Sequence, residues 1–121
     1  MRATSQLEKV EIEPENQLIE SLVVDIAEEI GEEDERMKNY VLKYFNKMER
    51  HLQGIEQIVS EDGKLAYTVG NSKLKDVEVP TDEILGEMFR AHGFDDVLIT
   101  RERKRNSKKG LYEAIVYGYR L

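Results

Sequence analysis

"DDVLITRERKRNSKKGLYEAIVYGYRL", residues 95–121, is the stretch whose reading decides the fold. Two runs rich in β-branched and aromatic residues flank a loop of charged and small ones. They read as strands over 96–102 and 111–120, paired antiparallel because the connection is short. Upstream, Ile84, Leu85, Met88 and Phe89 recur at helical spacing, with Thr81 as N-cap, Asp82 and Glu83 in the first turn and Gly93 as the stop. That predicts a helix over about 82–92. Before it, "KLAYTVG", 64–70, reads as a strand with two fairly apolar faces, as expected when layers cover both sides. A strand, a helix and a strand form a right-handed crossover whose two strands run parallel.

The clearest helix precedes these elements, over about 35–59. Met37, Tyr40, Val41, Tyr44, Phe45, Met48, Leu52, Ile55, Ile58 and Val59 make one long apolar stripe, read as core. Another helix, about 15–30, opens after Pro14 and stops at Gly31, with an acidic outer face. Residues 1–13 read as an arm or short strand. "NSKLKDVEVP" reads as a loop with a short extended piece at Val77–Val79. The organisation expected is an acidic N-terminal arm and helix over 1–35, then an α/β unit over 36–121.

The 121 residues suit one ordinary domain, with 40% hydrophobic and 36% charged side chains. No apolar run approaches a membrane span, and residues 1–17 have no apolar core of a secretory signal. The absence of cysteine removes disulfides, thiolate chemistry and cysteine zinc sites. The two histidines lie far apart in sequence. His51 falls off its helix's stripe and is expected in solvent; His92 sits near a helix C-terminus, where an imidazolium is mildly stabilising. A cytoplasmic protein without a built-in metal site is expected. Net charge is −7, yet residues 1–35 alone carry −10, which leaves the remainder basic. Six of 18 basic residues crowd into 101–110.

The words and their order resemble the C-terminal half of class I S-adenosylmethionine-dependent methyltransferases, in particular the amino-methylating DNA methylases. "YFNKMERHLQGIEQIVSEDGKLAYTVGNS", 44–72, is similar to that family's helix, turn and fifth strand. "VEVPTDEILGEMFRAHGFDDVLITRERKRNSKKGLYEAIVYGYRL", 77–121, is similar to its last helix and last two strands. The resemblance implies a partial Rossmann-like fold. Its three-stranded mixed sheet would have the order 64–70, 111–120, 96–102, with the final strand inserted between the two before it. The family's glycine-rich donor loop and its S/D/N-P-P-Y/F loop are both missing; Pro14 and Pro80 are isolated.

The implied function is the C-terminal lobe of a split or truncated DNA or RNA methyltransferase, without catalytic residues of its own. No cofactor is expected on this chain alone; S-adenosylmethionine is implied only for a completed enzyme. Ligands of open α/β sheets bind at the carboxyl ends of parallel strands. That edge would carry Asn71 and Ser72 as substrate contacts, unless they serve a turn. It would also carry Arg101, Arg103, Lys104, Arg105, Lys108 and Lys109 as phosphate contacts, unless they form a solvated hairpin tip. No aromatic is interleaved among these basic residues, so base stacking is not expected there. Expected partners are a second copy forming a homodimer through an open 64–70 edge, a polypeptide with the missing half, and DNA or RNA. The alternative is a non-catalytic, repurposed protein that self-associates or binds nucleic acid.

Overall fold

The computed structural model describes residues 17–103 and 112–120. In chain order its elements are α1 (Gln17–Leu22), α2 (Val24–Gly31), α3 (Glu35–Ile58), β1 (Lys64–Gly70), β2 (Ser72–Leu74), β3 (Val77–Val79), α4 (Thr81–Ala91), β4 (Asp96–Arg103) and β5 (Tyr112–Tyr119). The sheet order is β1-β5-β4. Both outer strands are antiparallel to β5, with Tyr67 and Ile99 each opposite Val116. β1 and β4 therefore run parallel without touching. The sheet expected to be mixed has only antiparallel neighbours, because β5 separates its parallel pair.

The pleat divides this sheet into two unlike faces. On the inner face the registered rows are Leu65–Gly118–Val97, Tyr67–Val116–Ile99 and Val69–Ala114–Arg101. α4 packs on it: the Phe89 ring meets Tyr67 edge-on at 5.5 Å, and Gly86 lies against Val97 and Ile99. The outer face carries Ala66–Tyr117–Leu98 and Thr68–Ile115–Thr100. Leu98 there is 51% exposed, and Ala66 and Thr68 are exposed too. The expectation of layers on both sides of 64–70 is thus corrected. Among the described residues the helical cover seen is on the inner face, so the strand's alternation is half-buried.

Helix boundaries shift for local reasons. The helix expected over 15–30 is two pieces, parted at Val23; positions 15 and 16 lie outside the described residues. α3 starts where Asp34 accepts a hydrogen bond from the Met37 amide at 3.1 Å, an N-cap. α4 begins at Thr81 itself, so Thr81 is not its cap. Its hydroxyl donates to the Val79 carbonyl, and the Asp82 carboxylate takes the Glu83 amide at 2.8 Å. The "NSKLKDVEVP" segment, read as a loop, folds as a β2–β3 hairpin. Its two central residues, Lys75 and Asp76, have φ of 51° and 65°. Such a turn prefers glycine and asparagine, which hid it from the sequence.

The α3 stripe is not all core. Val41, Leu42, Phe45 and Leu52 are buried, but Tyr40 is 63% and Ile58 78% exposed. Asn39, Asn46 and Glu49 take up buried positions instead. Ile19, Val23, Ala27 and Ile30 join the same apolar cluster as Phe45, Phe89 and Val116. Each large side chain removed from water in that cluster contributes about 1.5–3 kcal/mol.

The tightest point lies where β5 passes under α4. A Cβ on Gly118 would stand 2.6 Å from Phe89 Cδ2 and 3.1 Å from Phe94 Cβ, and both rings are fully buried. On an open strand Gly→Ala is neutral or helpful. Here Gly118→Ala is expected to destabilise by about 1–3 kcal/mol, seen as a lower urea midpoint at unchanged slope. An unchanged midpoint would mean the rings are not pressed onto β5.

Candidate functional site

β1 ends at Gly70, β4 ends at Arg103 and β5 begins at Tyr112. Gly70 and Glu102 both face Glu113, and Arg103 faces Tyr112, so all three termini share one edge. The N-terminus of α4 reaches this edge as well, through contacts of Asp82 with Arg101 and Tyr112. The sequence reading put Asn71, Ser72 and six basic residues here, and the structure describes the first two and Arg101 in full.

Asn71 is buried, and its amide is engaged. Nδ2 donates to Glu78 Oε2 at 3.2 Å, and Oδ1 accepts from the Tyr112 backbone amide at 2.9 Å. It ties the β1–β2 corner to the start of β5. Such bonds to nearby chain are what an asparagine serving a turn makes. Ser72 is exposed and lines a cleft of about 140 Å³ between α3 and the hairpin, with Tyr40, Tyr44, Gly70 and Leu74 on its walls.

The Arg101 guanidinium is engaged by carboxylates at the start of α4. Nε donates to Asp82 Oδ2 at 2.7 Å and Nη2 to Glu83 Oε2 at 2.6 Å, and the group lies 4.7 Å over the Tyr112 ring. Asp82 is fully buried at the start of α4. Hydrogen bonds to Asp82 and then Glu83 raise the guanidinium pKa beyond its already high value. The reason is parity: Val97, Ile99 and Arg101 share the inner face, so Arg101 points under α4. Counting by twos along "VLITR" was the signal that could have placed it. Lys104, Arg105, Lys108 and Lys109 lie outside the described residues, and Arg103 enters only as the last residue of β4.

His51 lies in solvent as expected, and His92 caps the C-terminal end of α4 as placed, though buried. His51 is exposed yet 2.5 Å from the Tyr67 hydroxyl, at the seam of α3 and β1. His92 is buried between two carboxylates of α3. Nδ1 stands 2.5 Å from Glu56 Oε1 and Nε2 3.0 Å from Glu49 Oε2; the latter contact is off the line of a straight hydrogen bond and is chiefly ionic. Burial pulls the imidazolium pKa down, but the bonds to Glu49 and Glu56 outweigh it, and the net shift is upward. Beside this clamp, Arg120 donates to the Val59 and Glu56 carbonyls and lies 4.7 Å over Phe94. A cation here answers the exposed carbonyls at the end of α3. The sequence signal for the clamp was weak, since Glu49 and Glu56 lie 43 and 36 positions before His92.

Among the described residues no group of His, Cys, Asp and Glu is placed to hold a metal ion, and no helix is long and apolar enough to cross a membrane. Comparison of the chain with protein-family models, with curated proteins and with solved structures finds no match.

Two outcomes are expected. Arg101→Ala should lower stability by about 1–3 kcal/mol, towards the small end because the arginine is 44% exposed, by leaving the buried Asp82 short of a partner. Denaturant unfolding reads this, and no loss would show the pair to be incidental. For His92 the sign follows from a pKa raised by folding. Its stabilisation is whole below the unfolded value near 6.5 and fades as pH climbs through the raised folded value. His92→Gln should therefore flatten the decline of unfolding free energy just above about pH 6.5. A variant as pH-dependent as the parent there would assign the decline to other groups.

Proposed function

We propose that this chain is the C-terminal lobe of a class I, S-adenosylmethionine-dependent DNA or RNA methyltransferase, built on a Rossmann-like plan and active only with a donor-binding half. The observation that carries this reading is the order β1-β5-β4: the last strand lies between the two before it, which are parallel to each other and joined through α4. Two further features fit it. Among the described residues β1 pairs on one side alone. The outer face, with Leu98 half exposed, has room for another layer.

The described residues at the end of β1 offer the methyl donor little. β1 runs straight into Asn71, whose amide is engaged, and the neighbouring cleft of about 140 Å³ is smaller than sites for ligands of that size, which run to about 300 Å³ and more. No catalytic step is assigned to this lobe. Its part is to extend the sheet, to present Ser72 at the carboxyl edge, and to contact phosphates through Arg103, Lys104, Arg105, Lys108 and Lys109. Arg101 holds that edge to α4.

A second reading, a non-catalytic protein that self-associates, is favoured by one observation. Leu65–Val69 carry no charge and no proline along an open edge, which is a template for pairing with a second copy.

One preparation separates the two. Co-expressed with a polypeptide bearing the glycine-rich and P-P-Y loops, the chain should co-purify with it and restore methyl transfer to nucleic acid. Alone it should show no donor heat in calorimetry. Changing the five basic residues to Ala should reduce the salt slope of duplex binding by up to about 0.9 per lost phosphate contact. Micromolar donor affinity for the isolated chain would refute the lobe reading. A stable particle of twice the chain mass that Thr68→Lys dissociates, with no half recruited, would establish the second.

A further inference from the structure

We infer that the cleft between α3 and the β2–β3 hairpin is a stacking subsite for one unpaired nucleobase. Tyr40 is the observation that starts the argument. It belongs to the apolar stripe of α3, where Val41 is buried and Met37 and Tyr44 are half-buried, yet it is 63% exposed and stands in the cleft wall. Among the described residues it is the one exposed large aromatic side chain. Tyr44, one turn along the same helix face, continues the wall and braces edge-on against the buried Phe45 at 4.9 Å. Two tyrosines, one of them braced on the core, thus line an open cleft.

Size and charge narrow the occupant. About 140 Å³ takes one ring system and excludes a drug-sized molecule. None of the lining residues is charged, so a phosphate or a zwitterion has no partner inside. What the cleft offers is tyrosine rings, the Gly70 backbone, the hydroxyls of Ser72 and the two tyrosines, and the Thr81 oxygen as an acceptor, its proton being given to the Val79 carbonyl. A planar, neutral ring with a polar rim matches that set, and a base is such a ring with a π-face in every sequence context.

The cleft is also held ready. Its outer wall is the hairpin, whose turn places two non-glycine residues at left-handed φ, a conformation that persists only when surroundings impose it. Lys75 Nζ lies 3.8 Å from Asp34 Oδ2, the same carboxylate that caps α3. This pair links the hairpin turn to the start of α3. The cleft opens at the end of β1, on the edge where α/β sheets take ligands. The inference deepens the methyltransferase reading by naming what sits at that edge, and it rests on that reading only for the source of the base.

The test is a nuclear magnetic resonance titration of the full chain with two probes, free adenosine and a ten-nucleotide single-stranded DNA. Both should move the amides of Tyr40, Tyr44, Gly70, Ser72 and Leu74; adenosine alone doing so would support the subsite with a free nucleoside as its source. Tyr40→Ala should weaken binding about tenfold or more, whereas Tyr40→Phe should keep it, since stacking needs the ring and not the hydroxyl. Tyr117→Ala, on the outer face, should leave binding unchanged. Tyr40 is exposed, so these variants should fold. Neither probe moving those amides, or Tyr40→Ala binding as the parent does, overturns the subsite. Base binding that depends on Tyr40 in a protein that never transfers methyl would keep the subsite and discard the enzyme reading. Methyl transfer indifferent to Tyr40→Ala would do the reverse.

Discussion

Everything in this molecule hangs on β5 lying between β1 and β4. A strand that must pair on both sides has its two ladders satisfied and both neighbours aligned to it. That alignment puts the ends of β1 and β4 on one edge and makes Val116 and Gly118 the floor for α4. Gly118 is there because the Phe89 and Phe94 rings leave no room for a side chain. From this contact follow the inner face of the sheet, the position of α4 and the burial of Asp82 beneath it.

Charged side chains then secure what apolar packing positions. Asp82 and Arg101 join the start of α4 to β4. At the opposite edge His92, set at the end of α4, is held by Glu49 and Glu56 of α3, and Arg120 covers the α3 carbonyls. The two layers are thus fastened at both ends by groups that burial would penalise if they were left alone. Of the six basic residues between 101 and 110, Arg101 is the one whose side-chain partners are seen, and they are carboxylates of α4. Arg101 is structural.

The same construction leaves other surfaces less settled. β1 has one neighbour among the described residues, and the outer face pairs Leu98, Tyr117 and Ile115 with little above them. Open edges and half-covered apolar faces are what a partner or a further layer completes. The cleft at Tyr40 is a different opening, with its walls braced by core and by the Asp34–Lys75 contact.

How much of this was legible beforehand depended on the range of the interaction. Helices α3 and α4, the strands near 64–70, 96–102 and 111–120, and their parallel and antiparallel senses were readable, because apolar periodicity, caps and loop length are local signals. Strand order came through the resemblance carried by runs of words such as "YFNKM" and "LAYTVGNS", not from any one motif. The tight hairpin at Lys75–Asp76 was unreadable, since its residues are not the ones such a turn prefers. The burial of Asn71 and His92, the capture of Arg101 by Asp82 and the exposure of Tyr40 were decided only in three dimensions. A residue's spacing says which face it occupies. Whether that face meets a carboxylate, a ring or water depends on chain tens of residues away, brought there by the packing of α4 on β5.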